Sequence, residues 1–305
     1  MPSFQKLANG TSELDAVVIY TGSQQTAKFP PCNNVCTDVV HSRPTDSQGT
    51  SAEQDKALNS FLDDQRKRYD EEAERHSEHY GDAHTQAYRT KFIREPLFRF
   101  SLENQDVLDA MSASGIETGY LLERGASVVG LDISASNAEI YRKKWSRDCL
   151  VESIHQTGLA GSSFDAVYIC GGLHHVIPLL DEVLTEIHRI LKPGGVFYFV
   201  EPNKDTWVDR IREIWYEKDS RFQDEEEAIS YRDKLSVYLK LGFQEECVIY
   251  GGNIAYLVIG QSLALGIPKG LKRYLAPPLF VLERIMNVFP FAPKLFFAAA
   301  WRKQG

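Results

Sequence analysis

Val107-Leu108-Asp109-Ala110-Met111-Ser112-Ala113-Ser114-Gly115, followed by Leu121-Leu122 and then by Ala126-Ser127-Val128-Val129-Gly130-Leu131-Asp132, decides how this chain is read. The order is strand, tight turn, helix, strand, with an acid closing the second strand. An apolar strand that ends in small residues lets the backbone approach a ligand, and an acid after the next strand accepts from a ribose diol. Such a unit is the nucleoside-binding half of a doubly wound α/β fold. A dinucleotide turn would place spaced glycines beneath a pyrophosphate, and here only Gly115 stands, which disfavours an oxidoreductase.

Three further segments follow in order. Ser163-Phe164-Asp165-Ala166-Val167-Tyr168-Ile169-Cys170 reads as the fourth strand, and Gly171-Gly172-Leu173-His174-His175-Val176 as the loop beyond it. Leu180, Val183, Leu184, Ile187, Ile190 and Leu191 recur with the period of an amphipathic helix. Lys192-Pro193-Gly194-Gly195 stops that helix and opens the fifth strand, Val196 to Val200, which ends in Glu201-Pro202.

From residue 107 to residue 202 this order resembles the class I S-adenosylmethionine-dependent methyltransferases, whose first motif usually runs Asp-x-Gly-x-Gly-x-Gly. Asp109 and Gly115 keep their places, whereas Met111 and Ala113 stand where the family has its first two glycines. The resemblance implies a Rossmann-like, seven-stranded α/β fold with an N-terminal helical lid and a helical insertion before the last strand. It also implies S-adenosyl-L-methionine as cofactor. Asp109, with Ala110, Met111, Ser112 and Gly115 around it, would shape the first turn and meet the methionine amino end. Asp132 would take the ribose hydroxyls, Ile133 one face of the adenine, and Ser153 and Ile154 its edge. Cys170 and Gly171 would turn backbone carbonyls toward the methionine ammonium.

The implied activity is methyl transfer to a small-molecule acceptor, read as O-methylation of a sugar, a glycolipid or a secondary metabolite. A non-methylating protein of the same fold, a cyclase or a cofactor-binding module, stays open because of Met111 and Ala113. For the base, the His174-His175 pair is the histidine constellation nearest the methyl-donor site, and an imidazole there either accepts a hydroxyl proton or packs within the loop. Glu201 and Asn203 lie at the carboxyl edge of the sheet, where each would orient an acceptor hydroxyl or cap the next helix.

The chain of 305 residues is 43% apolar and 25% charged, enough for one catalytic domain with additions. Its net charge of -8 argues against a nucleic-acid partner, which needs a clustered basic surface. The five cysteines, Cys32, Cys36, Cys149, Cys170 and Cys247, are odd in number and scattered, as expected of reduced thiols in a cytoplasmic protein. Cys32 and Cys36 lack a second pair at zinc spacing, so no metal is expected. No secretion signal is visible near Met1.

Residues 1–50 read as a loosely ordered leader rich in Ser, Thr, Gln, Asn and Pro, with one apolar run, Ala16 to Tyr20, suited to an edge strand. Residues 51–100 read as the lid, with Leu58, Phe61, Leu62 and Tyr69 on one helical side. Tyr80, His84 and Tyr88 are its candidates for touching the acceptor, or else anchors of the helices to the core. Residues 101–305 form the methyltransferase-like domain. Leu235 to Gly242 reads as a helix, Glu246 to Tyr250 as the sixth strand and Phe296 to Trp301 as the seventh. The insertion at about 254–292 holds three apolar stretches, Ala255 to Ile267, Leu271 to Tyr274 and Leu279 to Phe291, too interrupted by charge to span a bilayer. A helical cap over the acceptor, a membrane-surface contact and a homodimer face are its three readings.

Overall fold

A computed structural model describes residues 51–208, 228–262 and 265–305. The expected leader, with Ala16 to Tyr20, Cys32 and Cys36, lies outside the described residues. In chain order the elements are α1 (Ser51–Tyr80), α2 (Ala83–Arg89), which runs on through a wider helical turn into α3 (Glu95–Leu97), then β1 (Asp106–Ala110), α4 (Thr118–Glu123), β2 (Ser127–Asp132), α5 (Ala135–Trp145) and β3 (Cys149–Val151). After them come β4 (Phe164–Cys170), α6 (Leu180–Ile190), β5 (Leu191–Pro202), β6 (Phe243–Gly251), α7 (Lys269–Val288) and β7 (Phe296–Lys303). One seven-stranded sheet runs β3-β2-β1-β4-β5-β7-β6. Strands β1 to β5 are parallel, and β7 enters antiparallel between β5 and β6. The fold is the Rossmann-like class I methyltransferase fold that the motif order implied.

The parallel strands are continuous apolar runs because both faces of the sheet are covered. Leu108, Val167, Ile169, Phe197 and Phe199 point to the face packed by α6, while Val107, Tyr168, Tyr198 and Val200 point to the face packed by Tyr88, Phe92, Leu97 and Phe98. The period of two in the side chains thus becomes two cores, each fully buried large side chain contributing roughly 1.5–3 kcal/mol relative to exposure.

Two details differ from expectation. Leu191 belongs to β5, pairing with Phe164, and Lys192–Gly195 bulge out of that strand before Val196 rejoins it opposite Ala166. In the insertion, the stretches Leu271 to Tyr274 and Leu279 to Phe291 do not stand apart. Lys269 to Val288 is one helix that continues through Pro277 and Pro278. Among the described residues no helix is long and apolar enough to cross a membrane.

Polar bonds at named points fix the outer helices. Asp70 of α1 accepts from Ser134 Oγ at 2.6 Å and Ser136 N at 2.9 Å, placing an acid at the N-terminus of α5 where the exposed amides favour it. Asp82 caps α2 through the amides of His84 and Thr85. The same carboxylate meets Lys272 Nζ of α7 at 2.6 Å, and that ammonium, fully buried, also donates to Thr85 Oγ1 at 2.8 Å. Removing one partner of a buried pair leaves a desolvated charge behind, at a cost of about 3–5 kcal/mol. Lys272→Ala should therefore lower the urea unfolding free energy by roughly that amount, and Lys272→Met combined with Asp82→Asn, which keeps the cap oxygen, should recover most of it. A single variant within about 0.5 kcal/mol of the parent, as at an ordinary surface position, would show that the pair does not hold α7 to α2.

Candidate active site

Strands β2, β1, β4 and β5 are neighbours, and their carboxyl ends open together into a cavity of about 600 Å³, a size typical of small-molecule sites. Helix α1 lies across it. Phe61, Leu62, Gln65, Tyr69, Ala73 and His76 line the cavity at spacings that put them on one helical side.

The turn after β1 has left-handed backbone at Met111 (φ +52°), Ala113 (φ +47°) and Gly115 (φ +74°). Asp132, at the end of β2, pins it: Oδ2 accepts from Ala113 N at 2.8 Å, and Oδ1 from Ser134 N at 2.9 Å. Burial nonetheless pushes the Asp132 carboxyl above the usual range. Asp109 accepts from Thr118 Oγ1 at 2.6 Å, and burial pushes its carboxyl up to about 8.

The loop after β4 is held by Glu201. Its Oε1 accepts from the amides of Gly172 at 3.0 Å and Leu173 at 2.8 Å, and its Oε2 from His174 N at 3.4 Å and His174 Nδ1 at 2.7 Å. A carboxylate only accepts, so Nδ1 carries the proton and the other ring nitrogen of His174 is the acceptor. A Cβ on Gly172 would stand 2.7 Å from Met111 Sδ, so the two loops touch at a position only glycine fits. His175 packs edge-on to Tyr69 at 5.7 Å and against the His174 ring at 3.9 Å. Burial, then the neighbouring His174, Arg68 and His76, holds its imidazole far below the usual histidine range.

Behind the turn after β1 lies a cluster that sequence reading missed. Glu117 takes Arg94 Nε at 2.6 Å and is paired with Arg89 as well, with Tyr168 Oη at 3.3 Å. Burial opposes ionisation there, yet the Arg94 and Arg89 guanidiniums hold the carboxyl down to about 2. Arg89 lines the cavity and donates to Cys170 Sγ at 3.7 Å. Burial and Glu117 push that thiol up to about 12, so it stays protonated. The insertion supplies the opposite wall through Tyr256, Leu257, Gly260 and Gln261, and Tyr80 Oη donates to Gln261 Oε1 at 3.1 Å.

Most of the sequence-derived candidates converge on this one cavity. Asp109, Met111, Ser112, Asp132, Ile133, Ser153, Ile154, Cys170 and Gly171 line it, as do His174, His175, Glu201, Tyr80, Tyr88 and Asn203. Ala110 and Gly115 do not line it; they shape the turn from behind. His84 is also outside the lining, because it sits in the first turn of α2 with its amide taken by Asp82. Tyr88 is fully buried with its hydroxyl given to Glu283 at 2.8 Å, and Asn203 spends its amide on Lys294 O at 2.8 Å. Arg89, Glu117 and Gln261 join the lining without having been singled out, and so does His76, whose spacing to His79 and His84 on a charged helix reads as a solvated face. No periodicity or spacing distinguishes them from other charged and polar residues on helices and loops.

The cavity suits the cofactor that the fold implies. A buried acid ends β2, apolar Ile133 and Ile154 flank the space beside it, and a carboxyl that burial keeps protonated stands ready to ionise beside a cation.

Comparison with known proteins agrees. Residues 108–199 match the family model described as a methyltransferase domain. An uncharacterized methyltransferase of Synechocystis is 34% identical over 127 residues, 39% of this chain and 58% of the relative. A demethylmenaquinone methyltransferase of Clavibacter sepedonicus is 36% identical over 93 residues, 29% of this chain and 38% of the relative. The match thus spans about half the length of the curated relatives or less. Among solved structures, an S-adenosylmethionine-dependent methyltransferase from Archaeoglobus fulgidus superposes with a TM-score of 0.51 at 17% identity, covering 74% of this chain and 97% of that one, which is a likeness of fold. Residues 108–199 therefore match a methyltransferase domain, and the sheet built around them has the fold of the S-adenosylmethionine-dependent methyltransferase from Archaeoglobus fulgidus.

Proposed function

We propose that the protein transfers the methyl group of S-adenosylmethionine to a hydroxyl of an apolar small molecule. The observation that carries this reading is the single cavity into which Asp132, Asp109 and the Glu201-held His174 all open. When bound, the cofactor supplies a methyl already activated by a sulfonium, so what the protein must add is alignment and proton removal. Asp132 would accept from the ribose hydroxyls with the lone pairs its two amide bonds leave. Ile133 and Ile154 would flank the adenine, with Ser153 at its edge. Asp109 and the carbonyls of Cys170 and Gly171 would face the ammonium, and Arg89 the carboxylate.

The acceptor would meet Phe61, Leu62, Val176, Val208, Leu257 and Leu265, with Gln65, Thr206 and Gln261 as polar neighbours in the same lining. Such mainly apolar walls with a few polar groups favour a secondary metabolite or a lipid-linked acceptor, whose apolar body they would enclose, over a free sugar. The quinone acceptor in the name of the Clavibacter relative is of that apolar kind. The lid at 51–100 and the insertion at about 254–292 then serve as two walls that exclude water. His174 is the general base, because Glu201 fixes its tautomer and ring plane; Glu201 is a positioning residue, fully enclosed by its four donors. His175 packs the pair against α1. A non-methylating protein of this fold is the second reading, favoured by the Met111 and Ala113 side chains that line the cavity where the family has glycine.

Three measurements test these roles. Calorimetric titration should show S-adenosylmethionine and S-adenosylhomocysteine binding, weakened at least about 100-fold by Asp132→Ala, since hydrogen bonds to a charged group are worth about 1.5–3 kcal/mol each. Absence of binding to the parent protein would make the second reading the leading one. Asp109 gives a pH signature. Its folded-state carboxyl titrates near 8, so it is mostly protonated at neutral pH, and a cation placed beside it drives the proton off. Affinity should thus rise as pH goes from 5.5 to 7, with proton release seen by titrating in buffers of different ionisation enthalpy; an unchanged proton count in Asp109→Asn would assign the proton elsewhere. On an acceptor found among quinols and alkylated phenols, His174→Gln should lower kcat by about 10²–10⁴-fold with cofactor affinity unchanged, and His175→Gln by much less. If both variants turn over within threefold of the parent, neither histidine is the base.

A further inference from the structure

Helix α7 carries two apolar sides. Ala276 and Glu283 are buried toward the core with Lys272, whereas Leu271, Tyr274, Val281, Leu282, Ile285 and Val288 share the opposite side and are exposed, Val281 by 58% and Ile285 by 52%. At 100° per residue those six span an arc of roughly 120°, and Arg273 and Arg284 run along its edge. The patch continues past the helix through Phe289 to Phe291, which is 87% exposed. From residue 265 to residue 295 the chain has five basic residues, of which Lys272 is buried on Asp82 and Lys269 pairs with Glu78 of α1, and one acid, Glu283, which is fully buried on Tyr88 and the amides of Asn253 and Ala255. Every exposed charge on this segment is therefore positive, in a chain whose net charge is -8. The charge of the patch runs against that of the whole molecule.

The patch also adjoins the cavity. Trp207, 63% exposed, donates its indole N–H to Phe291 O at 3.1 Å, and its neighbours Thr206 and Val208 line the cavity. An exposed indole, phenylalanines and a leucine- and valine-rich helical side bordered by arginines match what lies flat in the headgroup region of an anionic bilayer.

We infer that the α7 face, from Leu271 to Phe291 with Trp207, docks on an anionic phospholipid surface and sets the cavity rim against it, so that an apolar acceptor enters from the bilayer. The acceptor class rests on the reading above; the docking does not, and it is read without cofactor or turnover.

The test is flotation of the full chain with phosphatidylcholine vesicles, with and without phosphatidylglycerol. The anionic vesicles should carry at least about tenfold more protein, and added salt should release it, as expected for basic residues at a charged surface. Ile285→Glu with Phe291→Glu should abolish flotation, and Arg273→Glu with Arg284→Glu should reduce it at least about tenfold. Both pairs should leave S-adenosylhomocysteine affinity unchanged, because none of the four side chains lines the cavity. Equal recovery on both vesicle types, or no recovery on either, overturns the proposal. So does a concentration-dependent dimer, seen by light scattering, that Ile285→Glu with Phe291→Glu dissolves, since a second copy would then cover the face. Loss of docking with cofactor binding intact would leave methyl transfer standing.

Discussion

Buried carboxylates at the carboxyl ends of three parallel strands organise this molecule. Asp109 ends β1, Asp132 ends β2 and Glu201 ends β5, and each is almost fully removed from solvent. An isolated buried carboxylate is too costly to persist, so each is matched by donors: a threonine hydroxyl for Asp109, two amides for Asp132, three amides and an imidazole for Glu201. Apart from Thr118, which opens α4, those donors belong to the loops that follow the strands. The loops are in register because the carboxylates are, and the carboxylates are in register because the strands pair. Where matching is incomplete, at Asp109, burial wins and the proton stays on. Where it is complete, at Glu201, the group becomes a fixed acceptor that aims His174.

The N-terminal helices and α7 attach by a different logic. Neither sits on the sheet through apolar contact alone. Arg89 and Arg94 reach Glu117, Lys272 reaches Asp82, and Tyr88 reaches Glu283. Buried ion pairs add little net stability against an apolar replacement, but they are directional, and a helix clamped by one has a single seat. Two consequences meet in the cavity. Arg89 is held where it faces the ligand space, and α7 is locked on α2 with its second apolar side turned outward. A helix held only by hydrophobic contact would gain by turning that side inward; Lys272 and Glu283, both buried and bonded, prevent it.

The parallel sheet was legible because covered strands are apolar throughout and are punctuated by turn residues. Val107 to Ala110, Val128 to Asp132, Phe164 to Cys170 and Val196 to Val200 were all placed from that contrast. The acids and histidines of the site were legible because they stand immediately after such strands, where position implies place. Arg89, Glu117, Asp70 and Gln261 were not, since a charged or amide residue on a helix or loop carries no mark of whether its partner is water or a residue distant in sequence. Leu191 was read as the last helical residue because it continues the apolar period; pairing with Phe164 overrides that period. The insertion was read as three apolar stretches because Lys269, Lys272, Arg273, Glu283 and Arg284 interrupt its apolar runs, and Pro277 and Pro278 lie within it. Packing of Ala276 and Glu283 on the core carries the helix across them.

The turn after β1 bears on the deepest ambiguity, the missing glycines. In the family that the chain resembles, glycine at the first two variable positions permits left-handed backbone at little cost. Here Met111 and Ala113 adopt that backbone anyway, with Gly115 as the third such residue. The cost is roughly 1–2 kcal/mol for each non-glycine residue. Bonds that exist for other reasons offset it: Asp132 accepts Ala113 N, Leu131 O accepts Ser112 N at 3.0 Å, and Ser112 O accepts Gly115 N at 2.9 Å. Met111 gains contact as well, because its side chain lies over Gly172. Bulk in the first loop, at Met111, lies against glycine in the second, at Gly172. The main-chain path of the turn is thus retained without its usual residues, and what changes is the volume of side chain beside it. Strain of this kind persists only where the surroundings over-determine it, and here the surroundings are the same carboxylates that shape the site.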